Sequence, residues 1–176
     1  MIFGGFKMSY VLGVIGHSNA GKTTLIEHII AELKKENKLI GAIKHDVHDF
    51  EIDHKGKDTY RLKSAGASCV AISSQNKWAL IQDVDKEKAL KEILSFFDNC
   101  DYVFVEGYKL EDIPKIEVYR SEFSYTPLVQ SGIENVILVV TDEPQRHFGV
   151  PTRHIDDYKG IVEFIKHHEH VSKMKK

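Results

Sequence analysis

Short apolar runs alternate with helical-period stripes along most of the chain, the pattern expected where strands alternate with helices. "YVLGVI" at 10–15 predicts a strand, and Leu25, Ile26, Ile29, Ile30 and Leu33 recur at helical spacing soon after it. "LIGAIKH" at 39–45 reads as the second strand, followed by a helix over "KDTYRLKSAG" and further strands at "CVAIS" (69–73) and "WALI" (78–81). Ala89, Leu90, Ile93, Leu94 and Phe97 mark one face of a helix over 86–97. "YVFV" at 102–105, "KIEVYR" and "VILVV" then resume the sheet, and Ile161, Phe164, Ile165 and His168 share one face of a final helix. This order predicts an α/β fold: a mostly parallel sheet flanked by helices, with some antiparallel strands near "CVAIS" and "WALI".

Length fits one domain over all 176 residues, with residues 1–8 as a dispensable lead-in, Met8 as an alternative start, and 171–176 as a flexible tail. Charge adds little: 24 basic and 26 acidic residues leave a formal net charge of −2 and no global field for nucleic acid or an anionic membrane. Lys, Asp or Glu interrupts every apolar segment, so no membrane span is expected. Cys69 and Cys100 form no CxxC pattern and the first residues lack a secretory apolar region. The expectation is a soluble, cytoplasmic protein.

Gly16, Gly21, Lys22 and Thr23 match G-x-x-x-x-G-K-[ST], in which main-chain N–H groups cradle phosphates while Lys and Thr meet phosphate and magnesium. The match lies between a strand and an amphipathic helix, whose positive N-terminus points at the same place. Residues Gly16, His17, Ser18, Asn19, Ala20, Gly21, Lys22, Thr23 and Thr24 are the expected nucleotide loop, and the fold is expected to be P-loop NTPase-like. The loop also requires an acid beside magnesium. "CDYVFVEGYK" offers Asp101 and Glu106, about 17 Å apart at about 3.3 Å per residue of strand. Ligands gather at the carboxyl ends of parallel strands, so Glu106 is the catalytic and magnesium-side candidate and Asp101 a cap at the strand entrance.

"KHDVHDFEIDHKGKDTYR" follows the second strand, with His45, His48 and His54 among Asp46, Asp49, Asp53 and Asp58. Lys44, His45 and Asp46 would reach the nucleotide, its metal or a second substrate, Asp46 organising magnesium or water. A polar loop without direct chemistry is the plainer alternative. The spacing matches no zinc signature, and "HHEH" at 167–170 reads first as a solvated helix end.

"GVIGHSNAGKTTL", "GAIKHDVHDFEIDHKGKDTYRLKSAGA" and "DYVFVEGYKLEDIPKIEVYR", in this order and spacing, resemble the MobB family of molybdopterin-guanine dinucleotide biosynthesis adapter proteins. The resemblance implies a dimeric GTP-binding protein with weak GTPase activity, assisting a guanylyltransferase that joins GMP to molybdopterin. It implies that Thr23 and Glu106 stand on the magnesium side, while Lys44 to Asp46 and Asp58 to Arg61 face the cleft or the pterin partner. No N-K-x-D guanine-reading motif is present. Thr141 and Asp142, after "VILVV", are candidates to accept guanine N–H groups, with a simple turn before Pro144 as the alternative. Arg61 and Arg120 are candidates for a transition-state arginine, which a partner would otherwise supply. Two other functions use the same features: a small-molecule kinase consuming ATP, and a nucleotide-dependent metallochaperone drawing on the ten histidines.

Overall fold

The computed structural model describes residues 9–46, 50–123 and 125–174. His48, Asp49, Lys175, Lys176 and the lead-in 1–8 lie outside them. The described chain divides into two compact units. The larger is built from the residues up to His45 and from Ile93 onward, and the smaller is Asp46–Glu92.

The larger unit is a six-stranded sheet in the order β2 (Ile40–Lys44), β5 (Tyr102–Glu106), β1 (Tyr10–Ile15), β6 (Lys115–Tyr119), β7 (Val136–Thr141), β8 (Thr152–His154). Every neighbouring pair is parallel. All carboxyl ends therefore gather along one edge, with β1 central. Helices α1 (Lys22–Lys34) and α4 (Tyr158–Met174) pack on each other and share one core layer with Leu12, Val14, Phe104, Ile116 and Val140. Leu25, Ile29, Ile161 and Ile165 are the helix positions that fill it, as their spacing predicts. A smaller layer holds Ile15, Tyr119, Leu128, Val136, Val139 and Phe148. The pairing of β6 with β7 slips between Lys115 and Ile116, which face Val136 and Leu138. One extra residue inverts the alternation, so Val136 joins the smaller layer while Leu138 and Val140 join the larger.

Polar groups, Glu117 fully buried and Asp101 partly so, stitch this unit together. Glu117 accepts hydrogen bonds from the Leu128 and Val129 amides at 2.7 and 2.9 Å and so caps the 3-10 turn Leu128–Ser131. At the opposite edge Asp101 closes the strand entrance, as expected, accepting the Leu39 amide at 2.8 Å. Tyr10 Oη lies 2.6 Å from His168 Nδ1, and Tyr102 Oη donates to Glu169, which also pairs with Lys173. Burial holds both tyrosine hydroxyls well above their usual range.

The smaller unit holds α2 (Asp58–Ser64) and an antiparallel pair, β3 (Cys69–Ser73) with β4 (Trp78–Gln82). Lys63 ties it together, donating to the carbonyls of Ala67 and Ser68 and pairing with Asp83. Trp78 and Leu80, two apart on β4, share one face and are 61% and 45% exposed.

Three expectations change. The helix over 86–97 contracts to α3 (Leu90–Leu94) followed by a 3-10 turn at Ser95–Phe97. Glu92 accepts the Ala89 amide at 2.9 Å, a capping contact that starts the helix there and leaves the charged run 85–88 outside it. The edge strand β8 was not foreseen, because "TRH" has no apolar pattern. Residues 171–174 of the expected tail are helical. Among the described residues no helix is long and apolar enough to cross a membrane.

Candidate phosphate-binding site

β1 ends at Ile15 and the chain turns through 16–21 into α1. Gly16 has φ +147°, and a Cβ there would stand 2.4 Å from the Val118 carbonyl oxygen of the adjoining strand, so only glycine fits. Gly21 begins α1 in the left-handed region at φ +97°, and Asn19 adopts φ +62° inside the loop. Ala20 is buried, while Ser18, Asn19, Thr23 and Thr24 are exposed. The result is a backbone bowl at a helix N-terminus, the arrangement that receives anions.

Lys22 folds back over this bowl and donates to the His17 carbonyl at 2.9 Å. Its ammonium is held below the usual lysine range, first by burial and then by Lys109 and Lys44, with Glu106 opposing them. Thr23 Oγ1 donates to Glu106 Oε2 at 2.7 Å. Sequence positions 83 apart thus meet because β5 lies beside β1 in register, Val14 against Glu106, and Lys44 of β2 stands level with the same acid. Past Glu106 the chain turns sharply. Gly107 has φ +96°, donates its amide to the Val14 carbonyl, and would bring an added Cβ to 3.0 Å from His45 Cβ. Tyr108 follows at φ +48° and stacks on His45 with ring centroids 4.3 Å apart.

Gly16 through Thr24, Lys44, His45 and Glu106 therefore sit at one edge of one unit. Asp46, Asp58 and Arg61 belong to the smaller unit, where Asp58 and Arg61 form an exposed pair at 3.4 Å on α2. Thr141 ends β7 and Asp142 follows it. Thr141 is fully buried and accepts the Glu143 amide at 3.0 Å. Asp142 accepts the Ser121 amide at 3.0 Å and the Ser121 hydroxyl at 3.2 Å, and lies 3.5 Å from Arg120 Nε. Burial works against its negative charge, but the Ser121 bonds, its own amide and Arg120 outweigh that and lower its pKa. Arg120, the other arginine candidate, also lies 3.6 Å from Glu122.

Two contributors escaped sequence reading. Lys109 reaches the surroundings of Lys22 through the tight Gly107–Tyr108 turn, for which Gly107 was the only signal. Tyr125 stacks on the ring of His17 at 4.1 Å, a contact between turn segments without periodicity. Oxygen donors at Thr23 and Glu106, beside a bowl for phosphate, fit the needs of a magnesium ion that keeps most of its ligands as water and phosphate oxygen. Among the described residues no three His, Cys, Asp or Glu side chains group as a metal site. The "HHEH" stretch directs His168 and Glu169 to Tyr10 and Tyr102 instead.

A parallel sheet with a glycine loop leaving its central strand and opening a helix defines a P-loop NTPase-like protein. The family model for molybdopterin guanine dinucleotide synthesis protein B, MobB, matches residues 11–142, and the chain belongs to that family. It is 39% identical over 136 residues to the molybdopterin-guanine dinucleotide biosynthesis adapter protein of Haemophilus influenzae, covering 76% of this chain and 75% of the relative. Against the protein of the same name from Escherichia coli the identity is 34%, covering 92% of this chain and 94% of the relative. The crystal structure of Bacillus subtilis MobB superposes with a TM-score of 0.69 at 25% identity, covering 88% of this chain and 94% of that one.

Proposed function

We propose that the chain is a GTP-binding adapter in molybdopterin guanine dinucleotide biosynthesis, hydrolysing GTP slowly and assisting the guanylyltransferase that joins GMP to molybdopterin. The observation that carries the nucleotide part is the Thr23–Glu106 contact at the mouth of the glycine loop. Phosphate oxygens would replace the His17 carbonyl on Lys22, and the loop amides would hold the remaining phosphate charge. Thr23 and Glu106 would hold Mg2+, whose chemistry is to neutralise charge between the terminal phosphates. Lys44 and Lys109 add positive potential, while His45 stacked on Tyr108 forms a fixed wall.

The adapter part rests on family membership, and of the two arginine candidates Arg120 lies against Asp142 and Glu122 while Arg61 pairs with Asp58. A partner that supplies the missing charge would accelerate a slow intrinsic reaction. The segment carrying Asp46, Asp58 and Arg61 is proposed to respond to that partner. A homodimer is supported by the exposed Trp78–Leu80 face of the hairpin, apolar surface that a second copy would cover.

The test is calorimetry of GTP and ATP side by side with Mg2+, followed by turnover with and without the guanylyltransferase. GTP preference and partner-accelerated hydrolysis are expected. ATP preference with phosphoryl transfer to a small acceptor would establish the kinase reading in its place.

A further inference from the structure

The glycine loop is gripped at one residue from two sides. The His17 carbonyl receives the Lys22 ammonium at 2.9 Å, and the His17 ring lies against that of Tyr125, centroids 4.1 Å apart and planes 26° from parallel. His17 Nε2 is buried without a hydrogen-bond partner, so no bond at that atom fixes the imidazole. The face of Tyr125 is left to do so. Ser18 and Asn19 beyond it are exposed, so packing secures the loop on either side of them, at His17 and at buried Ala20.

Tyr125 can support the loop because its own backbone is anchored on both sides. Before it, the 3-10 turn Ser121–Phe123 is tied to Asp142 through the Ser121 amide and hydroxyl, and the Phe123 ring backs Tyr125 at 6.2 Å. After it, buried Pro127 leads into the turn Leu128–Ser131, which Glu117 caps and whose Ser131 Oγ donates to the Pro127 carbonyl at 3.0 Å. Tyr125 also borders a concavity of ≈ 400 Å³ at the carboxyl ends of β6 and β7, with Tyr119, Gln130, Glu143 and Arg146. Tyr119 is engaged there: Arg146 lies over its ring and that of Phe148, 4.9 and 5.3 Å from the centroids, and donates to Tyr119 Oη at 2.6 Å. Tyr125 turns its face to the loop instead.

We propose that Tyr125 is a positioning residue: stacked on His17, it keeps residues 17–22 in the bowl shape that receives a phosphate chain. Without its ring the loop visits other shapes, and apparent affinity falls in proportion to the competent fraction. An aromatic pair is worth roughly a two- to tenfold change in such an equilibrium. The effect on loop order stands on the stacking alone, and the effect on nucleotide affinity rests on the GTP reading above.

Two measurements on the full chain test this, each on the parent, Tyr125→Ala and Tyr125→Phe. Tyr125 is 49% exposed, so both variants are expected to fold. Without ligand, NMR relaxation of the loop amides should give order parameters of about 0.85 in the parent and in Tyr125→Phe, falling towards about 0.6 in Tyr125→Ala. Calorimetry with GTP and Mg2+ should show roughly two- to tenfold weaker binding in Tyr125→Ala, recovered in Tyr125→Phe. In a His17→Ala background, Tyr125→Ala should cost nothing further, because the ring acts through His17. Unchanged loop order or unchanged affinity in Tyr125→Ala overturns the proposal. So does a further loss in the double variant, which would mark Tyr125 as a direct contact of the nucleotide. A parent chain that does not bind GTP refutes the GTP reading, and the relaxation data then decide the role of Tyr125 by themselves.

Discussion

Two acids stand at the carboxyl edge of the same sheet and differ in what they have left to offer. Glu106, the last residue of β5, meets one hydroxyl from α1 and lies among lysines. Asp142, just past β7, accepts an amide and a hydroxyl from Ser121 and adjoins Arg120. Both satisfy the rule that functional acids follow parallel strands. What separates them is saturation: Asp142 already joins the ends of β6 and β7, whereas Glu106 holds a single threonine hydroxyl, which under the proposed function it would share with a cation.

The largest break in that comparison comes from Lys22→Ala. Removing the ammonium above the loop should weaken magnesium-nucleotide binding at least about a hundredfold, the scale of a lost charge-assisted contact in a low-dielectric site. The melting temperature should change little, because Lys22 is only partly buried and its bond is to a loop carbonyl; calorimetry with thermal unfolding separates the two effects. Because its pKa is lowered, the Lys22 charge, and phosphate affinity with it, should decline with rising pH sooner than an ordinary lysine allows. Next, Glu106→Gln should remove most of the magnesium dependence of nucleotide affinity while leaving metal-free binding within a fewfold, measured by titration with and without EDTA.

Asp142→Asn sharpens the other side. Its loss should cost about 1.5–3 kcal/mol of stability in urea at neutral pH, the range for hydrogen bonds to a charged group. Its folded pKa is depressed, so this contribution is complete above the unfolded value of about 3.9 and disappears as pH falls through the lower folded value. The gap between variant and parent should therefore close in acid. Smallest in stability is Trp78→Ser on the hairpin, expected within about 0.5 kcal/mol for an exposed site. Light scattering should nonetheless show a shift towards monomer.

The central fold was legible because its strands are apolar runs with helical stripes between them, and parallel β1, β5, β6 and β7 are buried on both faces. The turn from β1 into α1 was legible because its glycines stand at fixed offsets, and at Gly16 the backbone requires one, since a Cβ there would meet the Val118 carbonyl of the adjoining strand. Edge strand β8 was not, since its partners are main-chain groups and its three residues carry no apolar signal. Nor was the concavity at the carboxyl ends of β6 and β7: Tyr119, Gln130, Glu143 and Arg146 come from a strand end and separate turns, drawn together by the Glu117 cap, the aromatic shelf under Arg146 and the Arg146–Tyr119 bond. Glu106 could be named from its strand position, while the commitment of Asp142 depended on Ser121, 21 residues earlier.

The bond from Lys22 to the His17 carbonyl would also set a threshold of charge. An uncharged group offers the ammonium no better partner than the carbonyl it already has, whereas a phosphate oxygen would be a stronger one. On the GTP reading proposed above, ligands would therefore be sorted by phosphate charge, a selectivity resting on a single side chain bent back on its own backbone.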